Sequence, residues 1–469
     1  MMRDFDVIIV GGGGAGLAAG IMARKAGATV MVLEADTKLG GATAQSGGVM
    51  YACGTSVQKA RGIDDSPAAM FDYMMTLSGW DTFPANMRVL AEQSGPALEW
   101  LKALGVIFPP EYLMCSGVES VPRGHPSGGI APSLINEAGV AGVEYALGTR
   151  VERLLFEKGR VSGVMAGGTE LRSGAVIVTT GGFGNNPEMI KRYYPTAAAH
   201  GDWTYAVHMH APFILGDGIE LGRGVNAEIV GVDTGLLLPT SGLGKWIEAF
   251  LPPWIMLVNE RGVRFLDEAA PYAVSGYLIN GQPGAHGFAV FDEPTLEMAS
   301  QDLTYADPYH TGGTAMPTWE YNLLRQSIAN GKVTQASSIA ELANKLGIDA
   351  ERLEVTVANY NTDCDAGCDT QFFKEMPDRF PVRTPPFYGR EVRACVIGQT
   401  GAGLNVNIDA QVLDVHGRVI PGFYAAGEVL GCGVGKRYFG GGMGICNAIV
   451  YGRIAGAKAA AEAMRNSAS

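Results

Sequence analysis

Apolar residues run unbroken through Val7–Val10 and again from Thr29 to Leu33. Runs of that length without polar alternation predict strands buried on both faces, as in a parallel sheet. Between them Leu17 and Ile21 fall one helical turn apart, which predicts a helix. Val151, Leu154, Leu155 and Phe156, then "EKGR", then Val161 and Val164 predict a β-hairpin. It leads into "AVIVTTGGFGNN", a buried strand ending in a glycine pair. Near the other end "RVIPGFYAAGEVLG" has the same form, its apolar run stopping at Ala425-Ala426-Gly427-Glu428. In "SSIAELANKLGIDAERLEVTVANYNTD" Ser338 to Glu341 predicts a helix start and Gly347 an end, while Leu353, Val357 and Tyr360 share a core-facing side. The "DCDAGCD" that follows predicts a loop.

A chain of 469 residues is expected to form two or three units of roughly 150 residues each. The stretch from 239 to 385 differs in composition and carries several Pro turns. It reads as an insertion that caps a larger domain built from 1–238 and 386–469. Sixty-six glycines point to many close backbone approaches, as a large buried ligand requires. The net charge of −12, with no Lys/Arg-rich run, excludes nucleic acid and anionic membrane surfaces as partners. No run of 18 apolar residues predicts a membrane span, and "FDVIIV" starts a strand almost at once without a leader pattern, so a cytoplasmic protein is expected. The seven cysteines include no C-x-x-C and read as free thiols, and His208 and His210 as incidental; no metal is expected.

The first 35 residues hold a complete strand, glycine-rich turn, helix, strand and acid. Gly11 permits a sharp turn, Gly13 leaves room for a pyrophosphate against the backbone, and Gly16 lets helix and strand pack closely. Gly14 and Ala15 open the helix, whose unpaired N–H groups face the phosphates. Glu34, with Ala35 behind it, is placed to accept bonds from ribose hydroxyls. The glycine-rich loop 39–54 follows directly, where a nicotinamide enzyme would start another βα unit, so the expected dinucleotide is FAD. Gly41, Ala42, Thr43, Ser46, Gly47 and Gly48 would run along it. Val151, Thr180, Gly181, Gly182, Gly427 and Glu428 would complete the cofactor site, Glu428 at the ribityl hydroxyls. No histidine precedes His125, which excludes a histidyl link from this loop and makes the FAD non-covalent.

With "VIIVGGGGAGLAAG", "GGATAQSGG", "VIVTTGGFGNN", "NERGVRFLDE", "PPFY", "GFYAAGE" and "YGRIAG", the chain resembles the FAD flavoproteins of the fumarate reductase/succinate dehydrogenase type over nearly its whole length. The resemblance implies an α/β fold: a Rossmann-like FAD-binding domain of the glutathione-reductase type with an inserted α+β capping, catalytic domain. The fumarate reductase branch carries an arginine acid after the motif that ends here at Glu268, but this chain has "AAPYAV". "GLLLPT" lacks that branch's histidine, and Tyr438 or Phe439 stands where it needs another arginine, with Arg437 adjacent. The closer resemblance is to 3-ketosteroid Δ1-dehydrogenases, through "DEAAPY" and "YFGGG".

That resemblance implies dehydrogenation of a cyclic ketone, with a proton leaving the α-carbon and a hydride leaving the β-carbon for FAD. It assigns Tyr272 as the base, Tyr438 O–H and Gly442 N–H as donors to the carbonyl oxygen, and Tyr112 as a hydrogen-bond partner for Tyr272. A phenol with an ordinary pKa near 10 needs such help. Gly442 would leave an approaching oxygen unobstructed. Apolar "GLLLP", "AFLPPWIMLV" and Phe439 would line a steroid slot, while Lys436 and Arg437 would suit a carboxylate on a smaller ring. The substrate is therefore a 3-ketosteroid or a cyclohexanone or oxocyclohexanecarboxylate, with oxygen, a quinone or a dye as electron acceptor. The alternatives are an enoate or dicarboxylate reductase and a non-enzymatic dinucleotide-binding module.

Overall fold

The first apolar run forms β1 (Phe5–Val10), the Leu17/Ile21 segment α1 (Gly14–Lys25) and the second run β2 (Val30–Leu33). These belong to a computed structural model that describes residues 3–246, 250–299, 316–375 and 380–465. The chain continues through α2 (Gly41–Gln45), β3 (Met50–Tyr51), α3 (Ser56–Ala60), α4 (Pro67–Leu77), α5 (Pro84–Ala103), β4 (Gly124–His125), α6 (Ile130–Val140) and β5 (Glu144–Ala146). The expected hairpin is β6 (Val151–Glu157) and β7 (Arg160–Ala166). It turns at Lys158 and Gly159, both at positive φ (50° and 77°), as a tight two-residue turn requires. β8 (Thr169–Val178), α7 (Pro187–Tyr193), α8 (Pro195–Ala198), β9 (Tyr205–Ala206), α9 (Asp217–Arg223), β10 (Ile229–Val230), β11 (Gly235–Thr240) and β12 (Met256–Val258) come next. Then follow α10 (Tyr272–Asn280), β13 (His286–Asp292), α11 (Glu293–Ala299), α12 (Tyr321–Ala329), β14 (Thr334–Ala336), α13 (Ile339–Leu346) and α14 (Ala350–Ala366). β15 (Phe387–Thr400), β16 (Gly403–Leu404), β17 (Gln411–Leu413), β18 (Val419–Ala425) and α15 (Met443–Arg465) complete it.

Two units emerge. The first comprises Met1–Ala198, His208–Leu236 and Gln399–Ser469. Its sheet has the order β17-β18-β8-β1-β2-β5, with β18, β8, β1, β2 and β5 parallel, and β7 and β6 continuing antiparallel from β8. This is the α/β, Rossmann-like architecture that the resemblance implies. Helices α1 and α15 pack together closely: a Cβ at Gly456 would lie 2.1 Å from the Ala19 carbonyl oxygen.

The second unit comprises Ala199–Val207 and Leu237–Gly398. Its sheet has the order β11-β15-β13-β12, with β14 and β9 also pairing with β15. The chain re-enters the first unit at Gln399 rather than 386, because most of β15 is a strand of the second unit's sheet. Residues 199–207, placed by the sequence with the first domain, belong to the second unit through the parallel pairing of Tyr205 and Ala206 with Val396 and Ile397. Ser338 caps α13 by accepting the Glu341 N–H at 3.1 Å, and Gly347 ends it in the left-handed region. Leu353, Val357 and Tyr360 pack from α14 against Val258, Phe288 and Val290. The expected loop "DCDAGCD" is instead mostly helix. α14 carries Cys364 and stops only at Ala366, with Gly367 at φ 71°. Asp363 holds the turn beyond by accepting the Thr370 N–H at 2.9 Å.

Candidate functional site

In the first unit the carboxyl ends of adjacent parallel strands are tied in sequence: Gly11 N–H donates to Leu33 O, Thr179 N–H to Val10 O, and Ala426 N–H to Val178 O. Ligands of open α/β sheets bind in the crevice beyond such ends. Gly11 has φ 105°, and a Cβ on it would lie 2.6 Å from Thr179 O; a Cβ on Gly16 would lie 2.0 Å from Gly11 O. Both positions are closed to any other residue. Gly13 differs, because a Cβ there would meet nothing within 4 Å. The space is open in front of the first turn of α1, which has no side-chain cap. A pyrophosphate fits there, received by unpaired N–H groups at the positive end of the helix.

The remaining cofactor positions surround this opening. Glu34 is buried, with Oε2 accepting the Gly12 N–H at 2.6 Å and Oε1 the Asp36 N–H at 2.7 Å. Both oxygens keep a lone pair for ribose hydroxyls. Ala35 follows it, and Glu34 accepts the Thr149 N–H, bringing the segment before buried Val151 alongside. Gly40 N–H donates to Gly12 O, laying Gly41, Ala42 and Thr43 over the turn; a Cβ on Gly14 would lie 2.5 Å from Thr43 Oγ1. Ser46 Oγ donates to Thr43 O at 2.9 Å, with Gly47 exposed beyond it, and Ser127 Oγ donates to Gly48 O at 2.9 Å. Gly427 lies close to Ala15, since a Cβ there would be 2.9 Å from that residue's Cβ. Glu428 Oε1 accepts both the N–H and Oγ1–H of Thr400 at 2.9 Å, and burial raises its pKa. Gly182 packs against that pair, with Gly181 turning at φ 73°. Thr180 Oγ1 is buried without a hydrogen-bond partner among the described residues, an orphan that a cofactor hydroxyl or phosphate would satisfy. These residues fit FAD.

Beyond Glu428 the chain reaches Tyr438, Gly442 and α15, also in the first unit. Tyr438 is buried, and its hydroxyl accepts the Gly444 N–H at 3.4 Å, at the start of α15. Burial, with Glu428 nearby, pushes its pKa up to about 12, so the phenol keeps its proton. Gly442 has φ 101°, and a Cβ on it would lie 2.7 Å from Tyr51 N and 2.8 Å from Val49 O. Its missing side chain therefore makes room for the 49–51 backbone; the sequence had assigned that room to an approaching oxygen. Tyr112 lies in a short 3₁₀ turn and is 53% exposed.

Three residues that no motif marked secure the segment after Tyr438. Tyr73 O–H lies 2.6 Å from Phe439 O, Ser116 Oγ donates to Gly441 O at 3.0 Å, and Glu119 Oε2 lies 3.1 Å from Tyr73 Oη. They sit more than 300 positions from what they hold, so only the fold reveals them.

In the second unit, Tyr272 is the first residue of α10, after Pro271 (φ −55°, ψ 141°). Its half-buried ring meets Phe250 edge-on at 5.3 Å. The strand and turn leading to it are fixed by a buried ionic cage. Arg264 donates to both oxygens of Glu268 (3.2 and 3.0 Å) and of Asp369 (3.1 and 3.0 Å). Lys374 lies 3.1 Å from Glu268 and donates to Ile255 O at 3.0 Å. Burial opposes the charge on Glu268, but Lys374 and Arg264 outweigh it and lower its pKa; Asp369, likewise buried, is held at about 2 by Arg264. Of the proposed slot walls, Ala249 lies outside the described residues. Leu237, Leu238 and Phe250–Val258 are buried, Trp254 packing edge-on against Phe291 (5.4 Å) and Trp319 (6.0 Å).

The sheet, the uncapped turn of α1 and the acid at the end of β2 define a flavoprotein of the dinucleotide-binding class. The model of the FAD binding domain family matches residues 6–445. Fumarate reductase (cytochrome) of Shewanella frigidimarina is 30% identical, over 98% of this chain and 78% of its own length. Urocanate reductase of Eggerthella lenta is 31% identical, over 98% and 75%. The structure of 3-ketosteroid-Δ4-(5α)-dehydrogenase from Rhodococcus jostii RHA1 superimposes with a TM-score of 0.79 at 27% identity, covering 98% of both chains. The chain belongs to the FAD binding domain family of fumarate reductase-type flavoproteins. It is an FAD-dependent oxidoreductase acting on CH–CH groups.

Proposed function

We propose that the protein dehydrogenates a cyclic ketone between its α- and β-carbons, in the manner of a 3-ketosteroid dehydrogenase. The observation that carries this reading is Tyr438: a buried phenol that keeps its proton, at the start of α15, in place of a permanently charged arginine. When bound, FAD supplies the acceptor for the β-hydride. Tyr438 O–H and the Gly442 N–H, just ahead of a helix whose first N–H groups lack intrahelical partners, donate to the carbonyl oxygen and stabilise the enolate. Such a donor contributes about 3–4 kcal/mol in the transition state. Tyr272, the first residue of α10, takes the α-proton. Tyr112, in its exposed 3₁₀ turn, is assigned as the hydrogen-bond partner of Tyr272. The substrate is a 3-ketosteroid or a cyclohexanone-type monocycle, and the electron acceptor oxygen, a quinone or an artificial dye. Seven free thiols fit a cytoplasmic setting.

The similarity to fumarate and urocanate reductases favours a second reading, reduction of an enoate or dicarboxylate, with Arg437 beside Tyr438 as the carboxylate ligand. The same phenols then run in reverse, Tyr272 giving the proton. A dye-linked screen of 3-ketosteroids, cyclohexanone and oxocyclohexanecarboxylates, set against anaerobic oxidation of reduced viologen by fumarate, separates the two. Dye bleaching by a ketone is the expected result; viologen oxidation without it overturns the ketone reading.

A further inference from the structure

The three residues behind Tyr438 pose a proton-counting problem. The Tyr73 oxygen has three close neighbours: Phe439 O at 2.6 Å, Glu119 Oε2 at 3.1 Å, and the Val118 N–H, which donates to it at 3.3 Å. The phenol has one proton for two acceptors. The shorter contact takes it, and a second proton must then lie between Glu119 and Tyr73. The carboxyl is the group that can carry it, since its other oxygen already accepts the Ser116 N–H at 2.9 Å.

The surroundings agree. Glu119 is buried, and among the described residues it has no salt bridge. Arg123, a cation of the same cluster that lies over the Tyr73 ring at 5.4 Å, is committed to Asp65, with bonds of 2.8 and 2.7 Å and both side chains out of solvent. The other titratable groups facing Glu119 are the phenols of Tyr73 on α4 and Tyr51 on β3 and the thiol of Cys115, none of which offers a positive charge. Burial raises the Glu119 pKa, outweighing the backbone N–H groups of residues 116, 117 and 119 and the Tyr73 hydroxyl, which favour the ionised form. A buried carboxylate without a counter-charge is costly, and taking up a proton removes that cost.

We propose that Glu119 and Tyr73 are positioning residues: a protonated Glu119 donates to Tyr73, Tyr73 donates to the Phe439 carbonyl, and this relay, with Ser116 on Gly441, fixes the peptide that aims Tyr438. This rests on the reading of Tyr438 as the carbonyl donor. Loss of the Glu119 proton turns its oxygen into an acceptor, draws the Tyr73 proton away from Phe439 O and frees the segment. Activity therefore falls on the alkaline side as Glu119 ionises. An amide at 119 donates to Tyr73 at every pH.

The test uses the FAD-loaded enzyme and its Glu119→Gln, Tyr73→Phe and Tyr438→Phe variants. Infrared difference spectra of wild type minus Glu119→Gln at neutral pH are expected to show a protonated-carboxyl band; its absence overturns the proposal. Rates of dye reduction with a 3-ketosteroid or cyclohexanone are then followed across pH. The Gln enzyme is expected to follow the wild type at neutral pH and to lose its alkaline decline, and Tyr73→Phe to lower kcat about tenfold with KM unchanged. An alkaline decline retained in Glu119→Gln while Tyr438→Phe is crippled removes the relay alone. A Tyr438→Phe enzyme of unchanged rate removes the donor role and the aiming together. Should the Gln protein not hold FAD, the Tyr73→Phe split decides, and an unchanged kcat there is a negative.

Discussion

A methyl group added at Gly13 and one added at Gly16 meet opposite surroundings. The first points into open space, the second to 2.0 Å from a backbone oxygen. Gly13→Ala is therefore expected to leave the fold intact and weaken FAD at least tenfold, read as loss of flavin absorbance with an unchanged unfolding temperature of the FAD-free protein. Gly16→Ala is expected to destabilise the protein by about 1–3 kcal/mol, because the backbone itself must shift. At the proposed base, Tyr272→Phe keeps the ring and its contact with Phe250, so FAD stays bound while kcat falls by about 100-fold or more. A near-normal rate in that variant would refute the assignment. The residues proposed to cradle FAD could be named from sequence because each sits in a local motif whose spacing is itself the geometry. Tyr73, Glu119 and Ser116 could not, because their contacts join distant parts of the chain. At Gly442 the motif assigned the missing side chain's room to an approaching oxygen, whereas the 49–51 backbone occupies it, a neighbour invisible in "YFGGG".

Among the elements, the turn that delivers α10 rests on the Arg264–Glu268–Asp369–Lys374 cage, and magnitudes rank it above the surface pairs. Removing one partner of a buried ion pair costs about 3–5 kcal/mol, as it strands the other charge. Lys374→Met is expected to fall in that range by urea unfolding. Lys25→Met, which breaks a solvent-exposed bridge to Glu137 (2.8 Å), should cost under about 1 kcal/mol. Sequence signals placed α13 well, since Ser338 and Gly347 act locally. They missed the end of α14, where polar residues suggested a loop. Tertiary packing of Leu353, Val357 and Tyr360, with Asp363 bonding forward to Thr370, carries the helix through them. Asp369 ends that same polar stretch, and nothing in the sequence marked it or Lys374 as buried.

For the whole molecule, two sets of carboxyls titrate in opposite senses. Asp369, held at about 2, and Glu268, also lowered, stabilise the native state above the ordinary carboxyl range; that contribution is lost as pH falls from about 4 towards 2. Glu119 and Glu428 are raised by burial, so their contribution is full below the ordinary value and is lost as pH rises through their native values. Unfolding temperature measured from pH 8 downward is expected to rise gently, then collapse below about pH 4. A plateau continuing to pH 3 would show that the cage does not hold its charge. The sequence leads to an insertion over 239–385 within an α/β frame, while the second compact unit takes in 199–207 and 237–398. The pairing of 205–206 with β15, nearly two hundred positions away, leaves no local signal.

The packing of α1 on α15 has a bearing on how such a chain folds. Helix α1 ends at Lys25 and α15 begins at Met443, so their contact closes a loop of more than four hundred positions. Contacts of such sequence separation are slow to form, and the flavin cradle that opens at α1 is expected to be completed with them rather than ahead of them.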